Sequence, residues 1–316
     1  MHLPFDLAPE SSVLVAGAGG GYDVVCALPI VLALREMGHK VHIASYSFSR
    51  LQEVKGAEEP HPNLFAVTAE SEGPRNGYFP EGYLAQWWEK QFSEKLTVWS
   101  YAGVGVKPLT LIFAHLCEKL SPDAIILVDA GVDGMFEGTE FNIGTPAIDT
   151  ISIFSAYQLS HLKRYYAFTA FGTEGRQHSV RHADALMRVA QQVALGGMLD
   201  VSALLPSNPA GKLFMEAVDF IHAKAGPEWH SNMASSILAA LKGKFGHHDL
   251  TLKTTESPIW VSPLTLLYWF FKLESIAEAK PFAAKALKTE TVQEMTSLIE
   301  ETRATYSVLP KLDIPI

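Results

Sequence analysis

The chain has 316 residues, 48% of them hydrophobic and 19% charged, which suits an enzyme-sized globular protein and excludes a disordered, fibrous or collagen-like chain. Lys and Arg number 25 against 34 Asp and Glu, for a formal net charge of −9. No basic run offsets that sign, so a nucleic acid is not an expected partner: like charge repels the phosphate backbone.

Cys26 and Cys117 lie in apolar helical patterns, outside any CxxC pair. They read as buried small hydrophobes in a reducing compartment, not as part of a zinc or disulfide framework. The first residues, MHLPFDLAPESS, carry Asp6 and Glu10 and no basic stretch, unlike a signal peptide. The longest apolar stretches, near 123–132 and 259–271, fall short of the roughly 20 residues a membrane helix needs. The expectation is a cytoplasmic protein without membrane attachment.

In chain order, residues 12–16 (SVLVA) predict a strand, followed by the cluster Gly17, Gly19, Gly20 and Gly21 as a tight turn. Residues 23–37 have helical spacing and stop at Gly38, a natural C-terminal cap; 41–45 (VHIAS) predict a second strand. Residues 64–68 predict a third strand, 83–98 a helix carrying Trp87, Trp88 and Phe92, and 108–120 a helix opened by Pro108. Residues 124–128 (AIILV) form a continuous apolar run, as expected of a strand covered on both faces. Further strands are predicted at 147–154 and 165–170, and helices at 180–196, 211–225, 231–242, 263–279 and 290–306. The alternation argues an α/β fold, a mostly parallel sheet flanked by helices, with a helix-rich C-terminal half. The break LPSNPAG divides a core, 1–205, from a C-terminal part, 206–316, or is a loop within one domain.

Two segments point to chemistry. A strand that ends in glycines and enters a helix aims backbone N–H groups at one spot, suited to a phosphate or carboxylate. Gly17, Gly19, Gly20, Gly21 and Asp23 are therefore candidate ligand-binding residues, with Asp23 equally suited to capping its helix. A full GxGxxG pattern would need glycine where Tyr22 stands, and Ser45 and Ser47 occupy the end of the second strand where a ribose-binding acid is expected. Both departures count against a nicotinamide dinucleotide.

The second segment is Asp129-Ala130-Gly131-Val132-Asp133-Gly134, with Glu137 and Glu140 following. Carboxylates leaving the C-terminal end of a buried strand sit where open α/β sheets bind ligands. Crowded there, they repel unless a cation, a proton or donor hydroxyls offset them. Asp129, Asp133 and Glu140 are the candidate catalytic acids. Asp129 and Asp133 are also candidate ligands for Mg²⁺ or Ca²⁺, in a spacing similar to the D-P-G-x-D stretch of calcium-dependent nucleoside hydrolases. The alternative is an acidic surface loop. Thr145 and Asp149, after Gly144, extend the same rim, or form a turn with a capping residue.

The loop from Trp99 to Pro108, with Lys107, offers a weaker anion cradle; its ordinary reading is a plain connection. His247, His248 and Asp249 read as a solvated loop, and Ser231 or Asn232 as a helix cap. Tyr268, Trp269, Phe270 and Phe271 read as core or subunit interface, or as a wall for a flat ring. No G-x-S-x-G elbow, P-loop or HExxH is present.

With VLVAGAGGGYDVVCALPI, VDAGVDGMFEGTE with IGTP, SSILAALKGKFG and SPLTLLYWFFKLE in view, the chain resembles a largely archaeal and bacterial family catalogued as domain of unknown function 1152. The resemblance implies a Rossmann-like α/β fold and no particular activity. Thr139 stands where that family commonly has Asp in G-V-D-x-L-x-x-G-D-E, while Asp133 and Glu140 match.

The functional expectation is an enzyme on a small anionic molecule: a nucleotide, nucleoside or phosphorylated sugar. Hydrolysis or group transfer would be assisted by carboxylates and a divalent metal. The alternatives are a non-catalytic sensor of a nucleotide or similar small molecule and a nicotinamide-dependent oxidoreductase. Apolar C-terminal helices suggest a homo-oligomer.

Overall fold

The computed structural model describes residues 1–75, 77–173 and 180–311. The chain opens with β1 (Ser12–Gly20), the one-turn α1 (Asp23–Cys26), α2 (Leu28–Glu36) and β2 (Lys40–Tyr46). Next come the short pair β3 (Glu58–His61) and β4 (Leu64–Val67), then α3 (Pro80–Phe92), β5 (Val98–Tyr101), α4 (Val106–Leu120) and β6 (Ala124–Ala130). Past the acidic loop follow α5 (Ala147–Tyr157), β7 (Lys163–Thr169), α6 (His182–Ala194) and β8 (Met198–Ala203). The remainder supplies α7 (Pro209–Ala225), α8 (Asn232–Leu241), the hairpin β9 (Gly246–His248) and β10 (Ile259–Val261), β11 (Leu267–Lys272), α9 (Leu273–Glu278), α10 (Ala283–Ala286) and α11 (Val292–Arg303).

Nine strands form one sheet in the order β3-β4-β5-β2-β1-β6-β7-β11-β8. The central five, β5-β2-β1-β6-β7, are mutually parallel. β4 pairs antiparallel to β5 and β11 antiparallel to β7; β3 and β8, antiparallel to those two, regain the central direction. The sheet is therefore mostly parallel. β11, from the C-terminal part, sits between β7 and β8 of the same sheet.

Each strand divides its side chains between two cores, as the two-residue period of a pleated strand dictates. Val13, Val15, Ile126, Val128, Ala167, Tyr268 and Phe270 face the side of α2, α3, α7 and α8. Leu14, Ala16, Ile125, Leu127, Tyr166, Phe168 and Phe271 face the side of α4, α5, α9 and α11. With both faces covered, continuous runs such as AIILV are what the strands require.

Three predicted elements are corrected. Residues 147–154, expected as a strand, are helix α5. Its β-branched run (AIDTISIF) misled because α5 is buried on nearly every side, from Asp149 through Ala156, so no amphipathic stripe marks it. Residues 263–279, expected as one helix, are a short 3₁₀ turn after Ser262, then strand β11, then α9. The aromatic stripe thus alternates across a sheet: Tyr268 and Phe270 on one face, Phe271 on the other. The expected glycine turn is mostly strand, since β1 runs through Gly20 and only Gly21, at φ +69°, turns the chain.

Among the described residues no helix is long and apolar enough to cross a membrane.

Candidate functional site

The sheet order creates one special position. From β1 the chain moves outward to β2 and β5; it returns on the other side of β1 as β6 and continues to β7. The crossover helices after β1 and after β6 lie on opposite faces. The ends of β1 and β6 therefore lie at the topological switch point, where open α/β sheets bind ligands.

Four aspartates meet there. Asp23 begins α1, two residues past Gly21, and Asp129 ends β6. Asp133 occupies the 3₁₀ turn after β6, and Asp149 lies in the first turn of α5. All four are buried. Asp23, Asp129 and Asp149 each place one carboxylate oxygen so that the three lie within 4.8 Å of one another, close enough to share a single cation.

The glycines make the approach possible. A Cβ at Gly19 would stand 2.7 Å from Asp23 Oδ2 and 2.7 Å from Asp149 Oδ1, and one at Gly134 would stand 2.6 Å from Asp129 Oδ2. Neither position can carry a side chain while the carboxylates keep these places. The sequence expected these strand-end glycines to present amides to an external anion. In the structure the Gly19 amide donates to Asp23 Oδ2 at 2.8 Å, and the Gly21 amide donates to the Tyr46 carbonyl at 3.0 Å. Gly17 admits the backbone of α1, with a hypothetical Cβ 3.0 Å from Val24 N, and Gly20 lies under the Phe48 ring.

Desolvation dominates the electrostatics. Burial pushes the Asp23 carboxyl up to about 7, against the Gly19 and Ala130 amides that favour its charged form, and Asp133 adds to the rise. Asp149 is held well above the ordinary carboxylate range by burial first, then by Asp129, Asp133 and Asp23. Asp149 Oδ1 is buried and accepts no hydrogen bond. Asp129 Oδ2 accepts from the Tyr166 hydroxyl at 2.6 Å and the Gly134 amide at 3.2 Å; Asp133 Oδ2 accepts from the Thr145 amide at 2.7 Å.

The sequence-predicted residues divide accordingly. Asp129, Asp133 and Asp23 are brought together, and exposed Thr145 touches them through its backbone. Glu140, expected among the catalytic acids, stands outside the cluster. It is fully buried, and its oxygens accept from the Glu137 amide at 3.0 Å, the Gly138 amide at 2.9 Å and the Arg188 guanidinium. Arg188 also pairs with Glu137 at 2.7 Å and donates to Thr139 Oγ1 at 2.8 Å. This half of the acidic loop is a closed scaffold, and Thr139, where the family commonly has Asp, serves it as a hydroxyl acceptor.

Sequence reasoning placed Asp149 on a rim only; its signal was a lone acid inside an apolar run. It missed Tyr166 and Lys280. Lys280 is buried, donates to the Phe136 carbonyl at 2.7 Å, and is lowered to about 8 by burial against the upward pull of Glu140, Asp149, Glu137 and Asp133. The acid absent from the end of β2 is supplied in space by Glu81 of α3. Glu81 is wholly buried, with Ser45 Oγ donating at 3.1 Å and Ser49 Oγ at 2.9 Å. It is thereby sealed from a ribose hydroxyl.

A family model described as "Protein of unknown function (DUF1152)" matches residues 14–306. No curated protein and no solved structure matches the chain.

Proposed function

The chain belongs to the DUF1152 family, and from that starting point we propose that it is an enzyme of hydrolysis or group transfer, acting on a nucleotide, nucleoside or phosphorylated sugar with a divalent cation held by Asp23, Asp129 and Asp149. The observation that carries this reading is the set of three buried carboxylates that bring one oxygen each within 4.8 Å of the others; Asp149 Oδ1 is also buried without a hydrogen-bond partner. Mutually repelling buried acids are costly in water-free surroundings, and a hard cation is their natural complement. An all-oxygen donor set suits Mg²⁺ or Ca²⁺ and not a thiolate-loving metal.

When bound, the cation supplies Lewis-acid polarisation of a phosphoryl or sugar oxygen. The chain's own groups do the rest. Tyr166 and the Gly134 amide fix the Asp129 carboxylate in one orientation. Asp133, steadied by the Thr145 amide, flanks the cluster. It is assigned the proton-accepting role as water or a substrate hydroxyl attacks phosphorus or the anomeric carbon and the leaving group departs. Glu140 is left to the scaffold. The substrate is small and anionic, and the setting is a reducing cytoplasm, where Cys26 and Cys117, both free, remain thiols.

The test is calorimetric titration of Mg²⁺, Ca²⁺ and Mn²⁺ into wild-type protein and Asp149→Asn, with product analysis on nucleotides, nucleosides and sugar phosphates. Wild-type binding with turnover, both lost in the variant, supports the reading. Cation binding with no product from any substrate converts it to the sensor alternative. Equal cation binding by the variant overturns the site.

A further inference from the structure

Beside the aspartate cluster lies a cleft of about 360 Å³ whose lining includes Tyr22, Asp23, Phe48, Tyr78, Trp229 and Lys253. Asp23 belongs to both. The walls differ in chemistry. One is aromatic: Tyr78 packs edge-on against Trp229 at 5.4 Å and against Tyr22 at 6.1 Å between ring centroids. Phe48 closes it from the loop after β2 and is 57% exposed, its ring free to cover a guest. A Cβ on Gly20 would stand 1.9 Å from Phe48 Cζ, so glycine there is what lets the ring approach the strand end.

Another part of the lining is electropositive. It is the first turn of α8, a ten-residue helix capped by Ser231, whose Oγ accepts from the Ala234 amide at 3.1 Å. Its earlier amides, at Asn232 and Met233, lie at the positive end of the helix and border the cleft. Lys253 joins them, with its ammonium 5.9 Å from the Trp229 ring centroid. The strand-end glycines have given their amides to Asp23 and Tyr46, so an anion is received here instead. Tyr22 also lines the cleft, while its hydroxyl is buried and has no hydrogen-bond partner among the described residues.

Resting on the proposed function and narrowing it, we infer that the cleft binds a single nucleoside 5′-monophosphate unit: the base against Phe48, Tyr78 and Trp229, the phosphate at Lys253 and the first turn of α8, and the sugar toward Tyr22 and Asp23. Three observations select this class. A lining of aromatic rings has no use for a bare sugar phosphate, whereas every base has a π-face to stack. The paired cation and helix end want an anion. The volume is at the small end of ligand pockets, which fits one nucleotide and not a dinucleotide.

The experiment titrates adenosine, guanosine, cytidine and uridine 5′-monophosphates, the four nucleosides and ribose 5-phosphate into wild type, Phe48→Ala, Trp229→Ala, Lys253→Gln and Asp149→Asn. At least one monophosphate should bind, with ribose 5-phosphate at least about tenfold weaker. Phe48→Ala or Trp229→Ala should weaken that monophosphate and its nucleoside alike, by about tenfold. Lys253→Gln should weaken the monophosphate and leave the nucleoside unchanged. The inference is overturned if no monophosphate binds with a Kd below about 1 mM, if ribose 5-phosphate binds as well as the best nucleotide, or if both aromatic variants bind as wild type does. Phe48 is exposed, so its variant should fold even if Trp229→Ala does not. Nucleotide binding that survives in a protein with no cation affinity would sink the proposed function and leave this inference standing. Cation binding and turnover of a base-free substrate would do the reverse.

Discussion

Two groups of acidic side chains flank the segment after β6, and the fold treats them in opposite ways. Glu137 and Glu140 close around Arg188, with the Glu137 and Gly138 amides completing Glu140. Asp23, Asp129 and Asp149 instead face one another, and one Asp149 oxygen is left without a partner. The first group carries its counter-charge within the chain; in the second, burial pushes Asp23 and Asp149 toward their protonated forms. A buried acid supplied with a guanidinium is architecture, and buried acids supplied mainly with each other are a site that expects something from solution.

The largest expected effect breaks the architectural group. Arg188→Met strands Glu137 and Glu140 and should cost about 3–5 kcal/mol of stability, read as a lower urea midpoint, while cation affinity at the aspartates stays as in wild type. An unchanged midpoint would erase the distinction between the groups.

Next in size is the pH dependence of the aspartate cluster. The folded Asp23 carboxyl is raised from 3.8 to about 7, so between those values the folded protein binds more protons than the unfolded chain, and stability falls as pH rises. The fall, on the order of a few kcal/mol, should end above about pH 7. Melting in chelator from pH 4 to 8 should show a shallower fall for Asp23→Asn than for wild type, and saturating Mg²⁺ or Ca²⁺ should flatten the wild-type curve. Identical slopes in the two proteins would place the protonation elsewhere.

Asp149→Asn sharpens the comparison from the other direction. It removes a repelling charge and brings an amide donor to Asp23, so in chelator it should raise stability by roughly 1–3 kcal/mol while abolishing stabilisation by divalent cations. A functional group that becomes more stable when disabled is the signature sought; destabilisation in chelator would mark Asp149 as ordinary scaffold. Smallest is Tyr166→Phe, which deletes one hydrogen bond to Asp129 and should cost about 1 kcal/mol, with cation binding weakened but retained. Complete loss of binding would show that Tyr166 does more than orient a carboxylate.

Much of the site was legible locally. The continuous run AIILV announced a strand covered on both faces, and acids at its end announced a crevice, so Asp129 and Asp133 could be named from the sequence. Asp149 was half-visible, because an acid inside AIDTISIF has to be buried among apolar neighbours. The glycines were read for the right property, close approach, but with the wrong guest: they admit the chain's own carboxylates. Glu140 was misplaced because an acidic residue looks the same whether or not an arginine from α6 will cover it. Helix α5 was misassigned because near-total burial removes the periodicity that separates helix from strand, and β11 because its pairing with β7 and β8 is a long-range contact that its own residues do not show.

What the residues determined unaided is the α/β alternation, the two-sided burial of the central strands, and the presence of acids and glycines at strand ends. These follow from propensity and period, which are properties of neighbours in sequence. Which acids converge on one point, which share Arg188, and which aromatic rings line a cleft with Asp23 were decided by the order β2-β1-β6 and by the seating of α5, α6 and α8. Those are long-range choices, made by the packing of two cores against one sheet, and no local pattern encodes them.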